Sequence, residues 1–447
     1  MFAKHTSKRS VERTVFENLE TRRHLNGDPW GQVGQLIGQD DLETSYPSIN
    51  GTGQVVVVID TGVDYTHDVF GNGFGTDFQV IDGYDFVDND ADPMDTSPNG
   101  HGTSVAGVVA GAPFVSGGFK YQGIAPETKI IALRIAENTE SVPIDRLQSA
   151  LQWVIDHRLE YTIAAVNISF GFGLFDADYT EEVLGESLRI LATEEIPVIC
   201  SSGNDGTSDG FGIDYPGAHP DVISVGAVDA TDTITEYTQR SSNLDLLAPG
   251  SDVRAPYIEN GFAIVSGTSF AAPAVAGTIA LMKQVDPGLR LADVHSILRS
   301  SSERNKDGDQ EFGTTTGLTF ARLDAYRAVK TTELRKAAPA EEAALVGKYA
   351  QENNIQVDDD GVWHLLYFDS VTEQMKYATR SSIGQWSARS IVDETERDQG
   401  TYLSMQIDSF GSPRIAYFDA VRGDLRYASF DGAAWSLTTI DALGMFL

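Results

Sequence analysis

The chain has 447 residues, of which 41% are hydrophobic, and its 65 acidic and 32 basic residues give a formal net charge of −33. This length exceeds the usual size of one hydrophobic core and predicts two or more domains. The negative charge argues against nucleic acid as a partner, because phosphate backbones are bound by lysine and arginine. The sequence has no apolar run of about 18 residues, so no membrane span is predicted.

Residues 1–28 are predicted to form an N-terminal leader or tail. They begin with basic residues and lack the apolar core of an ordinary signal peptide. The segment FENLETRRHL resembles the short LExRxL leader of many large bacterial proteins that are predicted to be exported. A secreted or cell-surface protein is therefore expected, with a disordered tail as the alternative.

Residues 29–330 alternate short β-branched runs with longer helical patterns, which is typical of a parallel sheet covered by helices. The single cysteine, Cys200, follows apolar residues and is predicted to be a buried structural thiol. Strands are predicted over 54–60, 129–135, 164–169, 197–202, 221–228 and 244–249. Helices are predicted near 102–112, 143–159, 180–195, 269–285 and 291–300.

The C-terminal part contains an internal repeat. A charged, alanine-rich linker is predicted over 331–354, and two β repeats of about fifty residues follow over 355–447. LLYFDSVTEQMKYATR at 365–380 matches RIAYFDAVRGDLRYASF at 414–430. Each copy predicts four short strands, as in a propeller blade, but a closed propeller needs about four blades. We expect an incomplete propeller-like region that binds a protein or cell-surface partner, pairs with another subunit, or belongs to a longer chain.

Three segments supply groups for nucleophilic chemistry. VVVVIDTGVD places Asp60 at the carboxyl end of an apolar strand, where open α/β sheets carry ligands and catalytic groups. NGHGTSVAG and SGTSFAAPAVAG place His101 and Ser269 at helix starts. A serine hydroxyl needs a base to take its proton and a third group to orient the base. Taken singly, each residue also fits a helix cap, a turn or a structural role.

The three motifs, in this order, resemble those of subtilisin-like serine proteases, the subtilase family. The resemblance covers about residues 30–330 and implies a three-layer α/β fold with a mostly parallel sheet. It implies that Ser269 attacks the scissile carbonyl, that His101 is the general base, and that Asp60 orients the imidazole. Asn204, in CSSGNDG, matches the oxyanion donor of the family.

A serine endopeptidase with an acyl-enzyme intermediate and polypeptide substrates is therefore expected. The alternative is a noncatalytic binding or adhesion protein that keeps the protease scaffold as a platform for its repeats.

The resemblance also implies where a substrate binds. Ser169, Phe170 and Gly171, in NISFGFG, match the segment that pairs with an extended peptide. Asp214, directly before Tyr-Pro-Gly, matches the base of the primary specificity pocket. A buried carboxylate there would favour lysine or arginine in the substrate. A solvent-facing loop aspartate is the alternative.

An acidic loop precedes His101. GYDFVDNDADPMD places five aspartates within residues 83–95, and a calcium ion would relieve their repulsion. The segment resembles the calcium-binding DFVDND loop of thermitase-like subtilases, with Asp85, Asp90 and Asp92 at the matching positions. The resemblance therefore implies structural calcium, and a solvated acidic loop is the alternative.

Overall fold

The structure is a computed structural model, and it divides into two compact units, one ending at Thr332 and the other beginning at Glu333. The predicted leader and most of the predicted linker lie outside the described residues. No helix in the described part of the chain is long and apolar enough to cross a membrane. The described residues are 34, 36–116, 119–139, 142–180, 182–208, 210–308, 315–337, 353–358, 362–369, 374–380, 390–392, 401–408, 411–419, 424–430 and 434–441.

The first unit is built on a central sheet. Its strands are β1 (Val55–Asp60), β2 (Val80–Asp85), β3 (Phe114–Ser116), β4 (Phe119–Tyr121), β5 (Lys129–Arg134), β6 (Ile163–Ile168), β7 (Phe172–Phe175), β8 (Val198–Ser201), β9 (Ile213–Tyr215), β10 (Val222–Val228), β11 (Leu246–Pro249), β12 (Val253–Tyr257), β13 (Gly261–Val265), β14 (Glu303–Lys306) and β15 (Thr319–Arg322). Nine strands form one sheet in the order β14-β15-β11-β10-β8-β6-β1-β5-β2. Only the β14–β15 pair in this sheet is antiparallel. The predicted mostly parallel sheet is thus confirmed.

Helices cover both faces of this sheet. They are α1 (Gln39–Ser45), α2 (His101–Ala110), α3 (Ile144–His157), α4 (Glu182–Thr193), α5 (Thr268–Val285), α6 (Leu291–Ser301) and α7 (Ala325–Ala337), the last of which crosses the boundary between the units. Along β1, Val56 and Val58 pack into the core shared with α2 and α5, whereas Val57 and Ile59 pack into the core shared with α3 and α4. Side chains alternate between the faces of a strand, so a strand covered on both faces is apolar throughout.

The second unit contains two antiparallel sheets of four strands each. The first sheet has β16 (Asn353–Val357), β17 (Trp363–Asp369), β18 (Gln374–Arg380) and β19 (Ser390–Ile391), and the second has β20 (Thr401–Ile407), β21 (Pro413–Asp419), β22 (Asp424–Phe430) and β23 (Trp435–Asp441). Leu366 and Tyr377 of the first sheet share a buried cluster with Ile415 and Tyr417 of the second. The described strands therefore give each repeat the predicted small β-sheet, and the propeller remains a prediction.

Candidate active site

Asp60 and His101 form a buried pair at the carboxyl edge of the central sheet. Asp60 ends β1 and is fully buried, and its Oδ1 lies 2.7 Å from Nδ1 of His101, the first residue of α2. The same oxygen accepts the backbone N–H of Thr61 at 2.8 Å. A carboxylate at Nδ1 favours the proton on that nitrogen, so the lone pair of a neutral imidazole lies on Nε2. The pair is thus arranged for a base that acts through Nε2.

The close approach of α2 to β1 requires a glycine after His101. A Cβ at Gly102 would lie 2.2 Å from the carbonyl oxygen of Gly62 and 3.0 Å from Oδ1 of Asp60. The N–H of Gly102 donates to Oγ1 of Thr61 at 2.9 Å. A larger residue would push the helix away from the strand, and the imidazole would leave the carboxylate.

Ser269 is tied to the end of β6, the strand beside β1. It is the second residue of α5, and its hydroxyl donates to the carbonyl oxygen of Ser169 at 3.2 Å. The hydroxyl of Ser169 donates in turn to the carbonyl oxygen of Ser269 at 2.9 Å. Both serines are buried. These two hydrogen bonds fix the start of α5 against the residue that follows β6.

Two phenylalanines bring His101 and Ser269 into the same cluster. The ring of Phe170, the residue after Ser169, lies 5.6 Å from the imidazole between centroids. The ring of Phe270, the residue after Ser269, lies 5.3 Å from it. The imidazole therefore lies beside both segments that hold the serine, and Asp60, His101 and Ser269 occupy one place in the fold.

Asn204 lies next to this cluster, in the loop after β8. Its Oδ1 accepts the backbone N–H of Thr268 at 2.8 Å and the hydroxyl of Thr268 at 2.9 Å. Thr268 directly precedes Ser269, so the amide is fixed beside Ser269. Because Thr268 occupies the amide oxygen, the donor end of Asn204, Nδ2, is the end left for another group.

Asp214 lies in β9 and is 9% exposed, so it is not a solvent-facing loop residue. Its Oδ2 lies 3.2 Å from the position of a Cβ at Gly171, and its Cγ lies 2.8 Å from that position at Gly203. β9 also pairs with β7, where Phe172 is opposite Tyr215. The carboxylate is therefore packed between the predicted substrate-pairing segment and the loop that carries Asn204.

Two aspartates of the acidic loop pair with a basic residue that the sequence analysis missed. Asp85 is buried, and its carboxylate forms an ion pair with Arg134, the last residue of β5. Arg134 also donates to Asp88 at 2.8 Å and to Oγ1 of Thr96 at 2.9 Å. A basic residue at the end of an apolar strand was the available signal, because the carboxyl ends of neighbouring parallel strands meet at one edge of the sheet.

Asp90 lies beside Asp85 in the backbone, because the N–H of each residue donates to the carbonyl oxygen of the other, at 2.9 and 3.1 Å. Asp90 and Asp92 are exposed, Asp90 accepts the N–H of Asp92 at 2.9 Å, and Asp92 accepts the hydroxyl of Tyr65 at 2.7 Å. In the part of the chain that the structure describes, no three acidic, histidine or cysteine side chains form a group that could hold a metal ion. The carboxylate of Asp85 is paired with Arg134, and calcium at Asp85, Asp90 and Asp92 stays a prediction from the sequence.

Asp95 is a second residue that the sequence analysis left without a role in the site. It is buried, and its Oδ2 accepts the N–H and the hydroxyl of Thr103 in α2 at 3.0 and 2.7 Å. Its Oδ1 accepts the N–H of Ser97 at 3.0 Å. Burial raises the pKa of Asp95 to about 6, although these hydrogen bonds lower it. Asp95 thus holds the first turn of the helix that carries His101.

Comparisons with known proteins agree with this architecture. Residues 51–318 match the model of the subtilase family. The chain is 34% identical over 299 residues to the thermophilic serine proteinase of Bacillus sp. (strain AK1), a match that covers 66% of this chain and 67% of that protein. It is 29% identical over 286 residues to alkaline serine exoprotease A of Vibrio alginolyticus, with coverages of 64% and 48%.

A solved structure is also similar. The crystal structure of a cold adapted subtilisin-like serine proteinase matches with a TM-score of 0.50 and 28% identity. The match covers 62% of this chain and 90% of that one. The fold, the order of the motifs and the family match over more than half of the chain lead to one conclusion: the chain belongs to the subtilase family of serine proteases.

Proposed function

We propose that the first unit is a serine endopeptidase in which Asp60, His101 and Ser269 act as the catalytic triad. The observation that carries the proposal is the buried contact of 2.7 Å between Asp60 and His101, in the cluster that also holds Ser269. Ser269 attacks the scissile carbonyl while Nε2 of His101 takes its proton, which is later donated to the leaving amine. Asp60 orients the imidazole and stabilises its charged form. Water then hydrolyses the acyl-enzyme.

Asn204 donates to the oxyanion that forms in this reaction. Its Nδ2 and the backbone N–H of Ser269, in the first turn of α5, are the two donors. The amide is held by Thr268 before the substrate arrives, so its reorientation costs nothing during the reaction.

A peptide substrate pairs with Ser169, Phe170 and Gly171, and the side chain before the cleaved bond extends toward Asp214. The buried negative charge of Asp214 between Gly171 and Gly203 favours lysine or arginine there. Cleavage of a peptide library tests this assignment. Enrichment of basic residues before the cut is expected in the wild type and is lost in Asp214→Ser, whereas a wild-type profile without basic enrichment contradicts it.

A fluorophosphonate probe, which labels activated serines, tests the triad. Wild-type protein is expected to be labelled, and Ser269→Ala is not. Ser301→Ala, a buried serine of α6 far along the chain from the triad, is the matched control and keeps the label. Folded wild-type protein that takes no label would favour the noncatalytic alternative. Cleavage of internal bonds in a protein substrate then establishes endopeptidase action.

Structural calcium at Asp85, Asp90 and Asp92 remains a hypothesis from the sequence. A bound ion stabilises the folded state, so the melting temperature would rise with calcium concentration. The double variant Asp90→Asn/Asp92→Asn would lose that rise. A melting temperature that does not respond to millimolar calcium or to a chelator would exclude the site and leave Arg134 as the cation of this loop.

Secretion or cell-surface attachment, with a partner for the repeat unit, completes the proposal. The acidic balance of 65 to 32 charged residues and the leader-like segment at 16–25 support it. Full-length Ser269→Ala protein, which cannot digest a partner, is expected to sediment with cell envelopes. Native protein found only in the cytosolic fraction would contradict the location.

A further inference from the structure

We propose that Gln239 is a positioning residue that fixes both Asp214 and the loop that carries Asn204. The proposal rests on the roles assigned above to those two residues. Gln239 is fully buried and lies between β10 and β11, outside every motif that the sequence analysis singled out.

The side-chain amide of Gln239 is used at both ends. Its Nε2 donates to Oδ1 of Asp214 at 2.9 Å. Its Oε1 accepts the backbone N–H of Asp205 at 3.1 Å. An amide supplies a donor and an acceptor from one planar group at any pH, whereas a carboxyl group of this size donates only when it is protonated. Gln239 therefore connects the carboxylate of Asp214 to Asp205, the residue after Asn204.

The backbone and the packing add two further contacts with the same loop. The N–H of Gln239 donates to the carbonyl oxygen of Gly203 at 3.1 Å. Gly203 has a φ of +107°, and a Cβ there would lie 2.2 Å from Oε1 of Gln239. The glycine is thus required by both the left-handed backbone and the amide that packs against it.

These contacts place Asn204 between two residues that Gln239 holds. Asn204 in turn accepts from Thr268, the residue before the nucleophile. One continuous set of hydrogen bonds therefore runs from Asp214 through Gln239 and the 203–205 loop to Thr268. Loss of Gln239 leaves a buried carboxylate without one of its donors and frees the loop of the oxyanion donor, so both substrate preference and turnover are affected.

Gln239→Met removes both ends of the amide at similar volume. Two peptide substrates are compared that differ only in lysine or leucine before the cleaved bond. We expect kcat to fall about tenfold or more on both substrates, because the oxyanion donor acts in the transition state. We also expect the wild-type preference for lysine over leucine to shrink several-fold, because Asp214 loses the donor that orients it.

Gln239→Glu separates the two effects and keeps the shape of the side chain. The introduced carboxyl group still accepts from the N–H of Asp205, so kcat on the leucine substrate is expected to recover relative to Gln239→Met. It meets Asp214 with a second carboxyl group, so the amide donor to Asp214 is not restored. Gln54→Met is the matched control. Gln54 is a buried glutamine that precedes β1, at the amino end of the strand, whereas the site lies at the carboxyl end. The folded fraction of this variant should keep the wild-type kcat on both substrates.

The outcomes distinguish this proposal from the proposed function. Wild-type protein that cleaves neither substrate overturns the triad assignment and this proposal together. An active wild type without lysine preference overturns the role of Asp214 in substrate preference. It also overturns the claim that Gln239 acts on substrate preference through Asp214. Gln239→Met with wild-type kcat and wild-type preference overturns the positioning role alone.

Discussion

Asp60 and Asp85 are two buried carboxylates at the same edge of the same sheet, and they differ in the basic side chain that they contact. Arg134 of β5 is the register partner of both residues. Asp60 of β1 is opposite Arg134 on one side of β5, and Asp85 of β2 is opposite it on the other side. Asp60 binds His101, whereas Asp85 binds the guanidinium of Arg134. An imidazole titrates near neutral pH, and a guanidinium keeps its proton. The partner, and not the position in the sheet, therefore decides whether such a carboxylate is suited to orient a base or to form a structural ion pair.

The largest expected effect is on Asp60. Asp60→Asn keeps the size of the side chain but favours the wrong imidazole tautomer, so kcat/KM should fall about 10⁴-fold with little change in melting temperature. Steady-state kinetics on a peptide substrate measure it. Asp85→Asn, at the equivalent position of β2, should leave kcat/KM of the folded protein nearly unchanged. Equal losses in the two variants would end the distinction between these carboxylates.

Arg134 is expected to matter for stability rather than for turnover. Arg134→Met leaves Asp85 buried without its cation and should lower the free energy of unfolding by about 3–5 kcal/mol. Arg158→Met is the control, because Arg158 pairs with Glu194 near the surface at 3.2 Å, and it should cost less than about 1 kcal/mol. Urea unfolding compares the two variants. Similar small changes in both would show that the buried pair is not structural.

Asp95 is a third buried carboxylate, and its described partners, Ser97 and Thr103, are neutral hydrogen-bond donors. Its pKa is raised from the ordinary value of 3.8 to about 6, chiefly by burial, with Asp60 adding to the rise. The folded state thus holds the proton more tightly, and this stabilisation is present below pH 4 and lost as the pH rises through about 6.

The asparagine of Asp95→Asn does not titrate. The variant also loses an acceptor for Thr103, but the free-energy cost of that loss does not vary with pH. Its free energy of unfolding relative to wild type should therefore improve by about 2 kcal/mol between pH 4 and pH 7. Unfolding curves at a series of pH values measure this difference. A difference that stays constant across that range would contradict a buried, titrating Asp95.

The smallest effect is expected at Cys200, a buried group that stays neutral. Complete burial raises the pKa of its thiol, so little thiolate forms at neutral pH. A thiol reagent should not react with the native protein and should react once the protein is unfolded. Rapid reaction of the native protein would show that the strand is more open than the structure indicates.

The elements with strong local patterns were predictable from the sequence. The apolar run of β1 and the alanine-rich pattern of α5 gave boundaries within one residue of those observed. β14, with the sequence ERNK, was missed because it is polar and is a strand only through its antiparallel pairing with β15. β2 was missed for a similar reason, since its mixed sequence VIDGYD is ordered by its pairing with β5.

The site was predictable only as far as its motifs extend. Asp60, His101 and Ser269 lie in segments that match a family, whereas Arg134 and Gln239 act through partners distant along the chain. The Arg134–Asp85 pair spans 49 residues and the Gln239–Asp214 pair spans 25. Such partnerships depend on which strand ends and loops the fold brings together. The position of Arg134 at the end of an apolar strand indicated it only in part, and Gln239 lies outside every motif of the sequence.

The central claim is that Asp60, His101 and Ser269 act as one unit, and the kinetics of the double variant His101→Ala/Ser269→Ala test it most directly. Residues that act as a unit are strongly non-additive. We predict that the double variant loses no more kcat than Ser269→Ala alone, with each single variant reduced by several orders of magnitude. Losses that multiply in the double variant would show that the two side chains act independently and would contradict the account.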